Sequence, residues 1–154
     1  MTEKDKQIVN GVISQLQEKI KEAFESGDKY DFIDPAYDIL DDAEGEMDNP
    51  SDLVEPLFSL IEDSPNIDFG GPGSIGSFVE RVWGEEDEKY EGKVVDSLKR
   101  KPTEYMIYML FRICNDRKNP RIKNLVAFLK TFADADFLDD YWKEAIKKDF
   151  VDFE

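Results

Sequence analysis

Apolar residues in this chain return every three or four positions along most of its length, and no stretch of four or more alternates as a half-buried strand requires. The first run is the longest. Ile8, Val12, Leu16, Ile20 and Phe24 recur at every fourth position, with Val9 and Ile13 widening the stripe. This spacing predicts an amphipathic helix of about five turns. Thr2, with Asp5 three residues on, is a capping-box pair that opens it, and Gly27 ends it. Asp34-Pro35 then reads as N-cap and first helical residue, leading into Ala36, Ile39, Leu40, Ala43 and Met47. Asn49-Pro50 repeats the signal before Leu53, Leu57, Leu60 and Ile61. Pro56 falls inside that run and bends the helix or delays its start.

The clearest break is Asp68-Phe69-Gly70-Gly71-Pro72-Gly73-Ser74. Ile75, Phe78, Val79, Val82 and Trp83 follow at helical spacing. Glu85 to Glu91 is a polar connection or a helix start, and Tyr90, Val94, Val95 and Leu98 carry the next stripe. Pro102 stops that helix, and Thr103 opens another with Met106, Ile107, Met109, Leu110 and Ile113. Asn119-Pro120 is a third start, before Ile122, Leu125, Val126, Leu129 and Phe132. Phe137, Leu138, Tyr141, Trp142, Ala145 and Ile146 make the last helix. The expected fold is all-α: about eight short helices stacked as antiparallel pairs, in a compact bundle or a short HEAT-like solenoid, as one domain over residues 1–154. A faint echo, Leu57-Phe58 to Asp63 against Leu110-Phe111 to Asp116, favours the solenoid.

Absent residues bound the chemistry. Of 154 residues none is histidine and one, Cys114, is cysteine. Ser-His-Asp and Cys-His nucleophile sets, HExxH helices and Cys/His zinc sites are therefore excluded, and so is an internal disulfide. No enzymatic activity, cofactor or metal is expected. Asp38, Asp41, Asp42, Glu44, Glu46 and Asp48 crowd together, but counting back five from Gly45 reaches Leu40, so the calcium-loop pattern fails. Gly70-Gly71-Pro72-Gly73 precedes a helix without the Lys-Ser/Thr of a phosphate loop; it reads as a tight turn using positive-φ glycines. Cys114 lies on an apolar stripe and is expected to be buried, and Trp83, Trp142, Tyr105 and Tyr108 are expected in or at the edge of the core. With no signal-peptide-like start and no membrane-span-length apolar window, the expected location is cytoplasmic.

Charge carries the functional signal. The formal charge is −16, which disfavours nucleic acid and anionic membranes and favours a basic partner. It is unevenly laid out. Residues 28 to 68 hold fourteen acids and one base, whereas residues 92 to 131 hold ten bases and three acids. Like charges at that density repel, so the acidic segment costs stability unless something binds there. Asp31, Asp34, Asp38, Asp41, Asp42, Glu44, Glu46, Asp48 and Asp52 are the candidate contact residues, many of them opposite the apolar stripe of the second helix. Lys99-Arg100-Lys101 sits at a helix end, where cations complement the dipole.

Two segments carry a family likeness. Gly71-Pro72-Gly73 opening into Ile75-Gly76-Ser77-Phe78-Val79-Glu80, and Ser97 to Thr103 followed by Tyr105 to Asn115, resemble the small α-helical immunity proteins of bacterial polymorphic and contact-dependent toxin systems. Tyr108 stands where Trp is commoner there, and Phe111 where a polar residue is usual. The resemblance implies an intracellular inhibitor that binds one cognate toxin domain. It also implies scaffold roles for Gly71, Pro72 and Gly73, for the Pro102-Thr103 helix start, and for Arg112 paired with a nearby carboxylate. Charge adds that the toxin is a basic nuclease, occluded stoichiometrically. The alternative is a helical-repeat adaptor with an unrelated protein partner.

Overall fold

The first helix starts and stops where its spacing predicts. In the computed structural model, which describes residues 1–83 and 87–153, α1 spans Glu3–Ser26. Thr2 Oγ1 accepts the Asp5 N–H at 3.1 Å, and Gly27 closes the helix at φ +74° with its N–H on the Ala23 carbonyl. The buried line is Val9, Val12, Leu16 and Ala23, and Phe24 is 70% exposed. An every-fourth-residue run advances 400° per step on a 100° helix. Between Ile8 and Phe24 it therefore drifts by about 160°, out of the core.

The second helix corrects the expected Asp34-Pro35 start. α2 spans Tyr30–Glu46 and contains Pro35 in its second turn. Asp28 opens it, with Oδ1 accepting the Tyr30 N–H at 2.9 Å. The early start buries Phe32 and Ile33, each worth about 1.5–3 kcal/mol. That offsets the roughly 3 kcal/mol of an internal proline, whose missing N–H would have met the carbonyl of exposed Asp31.

A 3-10 turn, Pro50–Leu53, leads into α3, Val54–Asp63, with Pro56 in its first turn; the start is delayed. Between α3 and α4 (Gly73–Trp83), Gly70 and Gly73 hold φ +87° and +71° around a cis Gly71–Pro72 bond. Asp68 Oδ1 accepts the Gly70 N–H at 2.9 Å. A Cβ on Gly70 would lie 3.0 Å from the Gly73 Cα, so both conformation and space demand glycine there. Phe69 is buried just before the turn, edge-on to Phe32 at 5.3 Å.

The chain divides into two compact units, Met1–Lys93 and Val94–Glu154. In the first, α1 packs on α2 and α3, and α2 packs on α4. α5, Asp87–Arg100, begins in the first unit and ends in the second. The polar stretch expected from residue 85 is helical from Asp87, and residues 85 and 86 lie outside the described residues. In the second unit, α7 (Ile122–Lys130) packs on α6 (Glu104–Cys114) and on α8 (Asp140–Asp149). Thr103 Oγ1 caps α6 by accepting the Met106 N–H, and Asp139 Oδ1 caps α8 by accepting that of Trp142. Asn119-Pro120 forms a turn, Asn119 Oδ1 accepting the Arg121 N–H at 2.9 Å, and the helix follows at Ile122.

The last helix buries less than its pattern suggests. Ile146 is its one buried residue, Tyr141 is 71% exposed, and Phe150 beyond its end is fully buried. Arg117 holds that end: Nη2 donates to the Asp149 carbonyl at 2.7 Å, and the guanidinium lies 4.6 Å from the Phe150 ring centroid. Among the described residues all regular structure is helical, so the fold is all-α, built of paired helices. None of the described helices is long and apolar enough to cross a membrane.

Candidate partner-binding surface

The inner side of α2 is Phe32, Ala36, Leu40 and Ala43, all buried. Its outer side is the acidic face. Asp31, Asp34, Asp38 and Asp41 step along it by three or four residues, with Asp42 beside them, and all five are exposed. Glu46 is also exposed and Glu44 partly so. Asp48 and Asp52 lie past the helix end, Asp48 exposed and Asp52 partly buried within the 3-10 turn. Seven of the nine candidate acids thus share one helix, and two do not.

The molecule neutralises part of this face itself. Arg81 of α4 donates Nε and Nη2 to Glu44 Oε1 at 2.9 and 2.7 Å, and Nη2 reaches Asp41 Oδ1 at 3.3 Å. The Glu44 hydrogen bond raises the Arg81 guanidinium above its already high pKa, against desolvation and with help from both carboxylate charges. Asp48 pairs with Lys4 at 3.2 Å. Among the described residues, Asp31, Asp34, Asp38, Asp42, Glu46 and Asp52 have no basic group within 4.0 Å.

Two tyrosines stand among them. Tyr30 is 54% and Tyr37 41% exposed. Tyr30, Asp34, Tyr37, Asp41 and Glu44 follow one another by four, three, four and three residues, so they form one ridge along α2. Reading the face by its acids alone passes over the tyrosines, although the same spacing places them there. A charge run carries no mark of where its helix ends, so Asp48 reads as part of the same acidic face although it lies past Glu46.

The residues singled out by motif lie in other elements of the chain. Gly70 and Gly73 supply the positive φ of the turn, while Gly71 does not. Pro102 precedes the Thr103 cap of α6. Arg112 is exposed, its guanidinium 5.8 Å from the Tyr108 ring centroid and Nη1 donating to the Tyr108 hydroxyl at 3.5 Å. Lys99 and Arg100 occupy the last turn of α5, where the dipole favours them, and Cys114 is fully buried. Among the described residues no three carboxylates or thiols converge to hold a metal ion. Comparison with known protein families, characterised proteins and solved structures gives no match.

Proposed function

We propose that the chain is an immunity protein that neutralises a basic toxin domain, a nuclease, by stoichiometric binding through the outer face of α2. The observation that carries this reading is the row of exposed carboxylates on α2, five of which (Asp31, Asp34, Asp38, Asp42 and Glu46) lack an internal cation among the described residues. Such a row presents negative charge to a groove that otherwise receives phosphates. It steers a basic groove into register faster than an uncharged surface would. The Gly-Pro-Gly turn and the Lys-Pro-Thr helix start, similar to those of known immunity proteins, support the same reading.

The test is co-expression with the toxin domain encoded beside this chain. Growth is restored by the wild-type chain and lost when Asp34, Asp38 and Asp42 are together reversed to lysine. Circular dichroism should remain unchanged, because these side chains are exposed and hold no internal partner. Asp41 is left out because its reversal would set a lysine against Arg81. Full rescue by the triple variant would refute the α2 contact.

A second reading, a helical adaptor, draws on a groove of about 330 Å³ between α1 and α3. Asn10, Ile13, Ser14, Pro56 and Ser59 line it, and Asp63 is its one carboxylate. A groove with a single carboxylate suits a largely uncharged segment, and its binding would depend little on salt.

A further inference from the structure

Residues 149–153 hold to the second unit by few contacts of their own. α8 ends at Asp149, and Phe150 leaves helical geometry at φ −123° before a single 3-10 turn, Val151–Phe153. Of these five side chains only Phe150 is buried. Phe153 is half-buried, and Asp149, Val151 and Asp152 are exposed. Phe150 stands four residues after Ile146, so it extends the buried line of α8. Its ring meets Phe111 edge-on at 5.1 Å, and Phe111 meets Trp142 at 5.5 Å. The segment thus covers one end of a row of edge-packed rings. One side chain from elsewhere fastens it. Arg117, in the turn between α6 and α7, donates Nη2 to the Asp149 carbonyl at 2.7 Å, and Nη1 lies 3.6 Å from the Asp152 carboxylate. Its guanidinium lies 4.6 Å from the Phe150 ring centroid and 5.0 Å from that of Phe153. The turn that presents Arg117 is braced by bonds of its own. Asp116 accepts the Lys118 N–H through Oδ1 at 3.1 Å and the Asn119 N–H through its carbonyl at 3.2 Å.

We infer that residues 149–153 form a strap that closes over Phe111 and opens by itself, with Arg117 as its latch. A segment with one buried side chain and exposed polar ties belongs to the low-stability end of a fold, where opening is local. The last carbonyls of a helix lack partners within it, so the Asp149 carbonyl is free to take an outside donor. Arginine suits that place for a physical reason. Its planar fork serves a carbonyl and a carboxylate while its faces meet rings, whereas an ammonium is a more tightly hydrated point charge. When the strap opens, α6, α7 and α8 stay packed while Phe111 and Phe150 are bared. This device is independent of the reading of α2, because every group in it belongs to the second unit.

Amide hydrogen exchange followed by NMR on the full chain tests the strap. The reporter is the Phe153 N–H, which donates to the Phe150 carbonyl at 3.1 Å. In the wild-type chain its exchange should be protected and unmoved by low urea, because opening the strap exposes little surface, while the buried amides of α6 speed up with urea. Arg117→Met keeps the side-chain stem but removes the charge and every donor. It should speed exchange at Phe153 by about tenfold or more, the loss of one charge-assisted hydrogen bond, and leave α6 and α7 unchanged. Arg117→Lys should fall between the two. Unchanged exchange at Phe153 in Arg117→Met removes Arg117 as the latch. Exchange at Phe153 that rises in step with α6 and α7, in the variant or in urea, means that the unit opens as one and has no strap. A Phe153 amide already unprotected in the wild-type chain means that the strap does not close.

Discussion

Asp5 illustrates how one side chain can leave the role its spacing suggests for a more demanding one. Its place three residues after Thr2 predicts a reciprocal cap, yet its two carboxylate oxygens accept the Asp48 and Asn49 N–H groups at 2.9 and 3.0 Å. At 1% exposure it ties the start of α1 to the segment that follows α2. Removing it strands two backbone donors, each costing about 1–3 kcal/mol. Asp5→Ala should therefore lower the stability of the chain by about 2–4 kcal/mol in urea denaturation, and Thr2→Ala by about 1 kcal/mol. Equal losses in the two variants would mean that Asp5 does no more than help cap α1. Nothing in the local pattern announces this contact, because its partners lie more than forty residues away. A second carboxylate shows the opposite extreme. Exposed Asp134 is held below the ordinary carboxylate range by its hydrogen bond to Lys147 at 2.7 Å and by that ammonium's charge. A depressed folded-state pKa contributes stability above the unfolded value and loses it as pH falls through the folded one. In an NMR titration the Asp134 carboxyl should turn over below its neighbours and return to the ordinary range in Lys147→Met.

The helices themselves were legible from apolar spacing, and their ends were less so. The Gly27 stop, the Thr103 cap and the delayed start imposed by Pro56 are local effects, decided within one turn of chain. The start of α2 is not. Asp34-Pro35 is a sound local signal, but burial of Phe32 and Ile33 outweighs it, and that burial depends on packing no short window contains. The same holds for Phe24, which a drifting stripe carries to the surface while Ala23 takes its place. The turn before α4 offers a test at this level, since its two left-handed glycines differ in surroundings. At Gly73 a side chain meets nothing within 4 Å, so Gly73→Ala costs only the left-handed backbone, about 1–2 kcal/mol. At Gly70 the same change also drives a Cβ to 3.0 Å from the Gly73 Cα and 3.2 Å from Ile33 Cδ1. Gly70→Ala should be the more destabilising of the two in thermal denaturation, and the reverse order would mean that the turn rearranges freely.

For the molecule as a whole, the charge of −16 divides unevenly along the chain, and the structure shows how some of the acidic excess is held. Lys4, Lys29, Arg81 and Lys93 pair with Asp48, Asp68, Asp41/Glu44 and Glu55, each between residues far apart in sequence. Exposed pairs of this kind contribute about 0–1 kcal/mol apiece, too little to account for retaining so many unpaired acids on one helix. Their long-range field has a different consequence. Salt screens charges beyond about 8–10 Å at physiological strength, so capture of a basic partner by the α2 face should slow steeply with added salt. In stopped-flow mixing, the association rate constant for the proposed basic partner should fall by about tenfold or more between low and physiological salt, while the dissociation rate changes little. Reversing Asp34, Asp38 and Asp42 should flatten that dependence as well as lower the low-salt rate. A salt-independent association rate in the wild-type chain would remove the acidic face from the encounter and direct attention to the groove between α1 and α3.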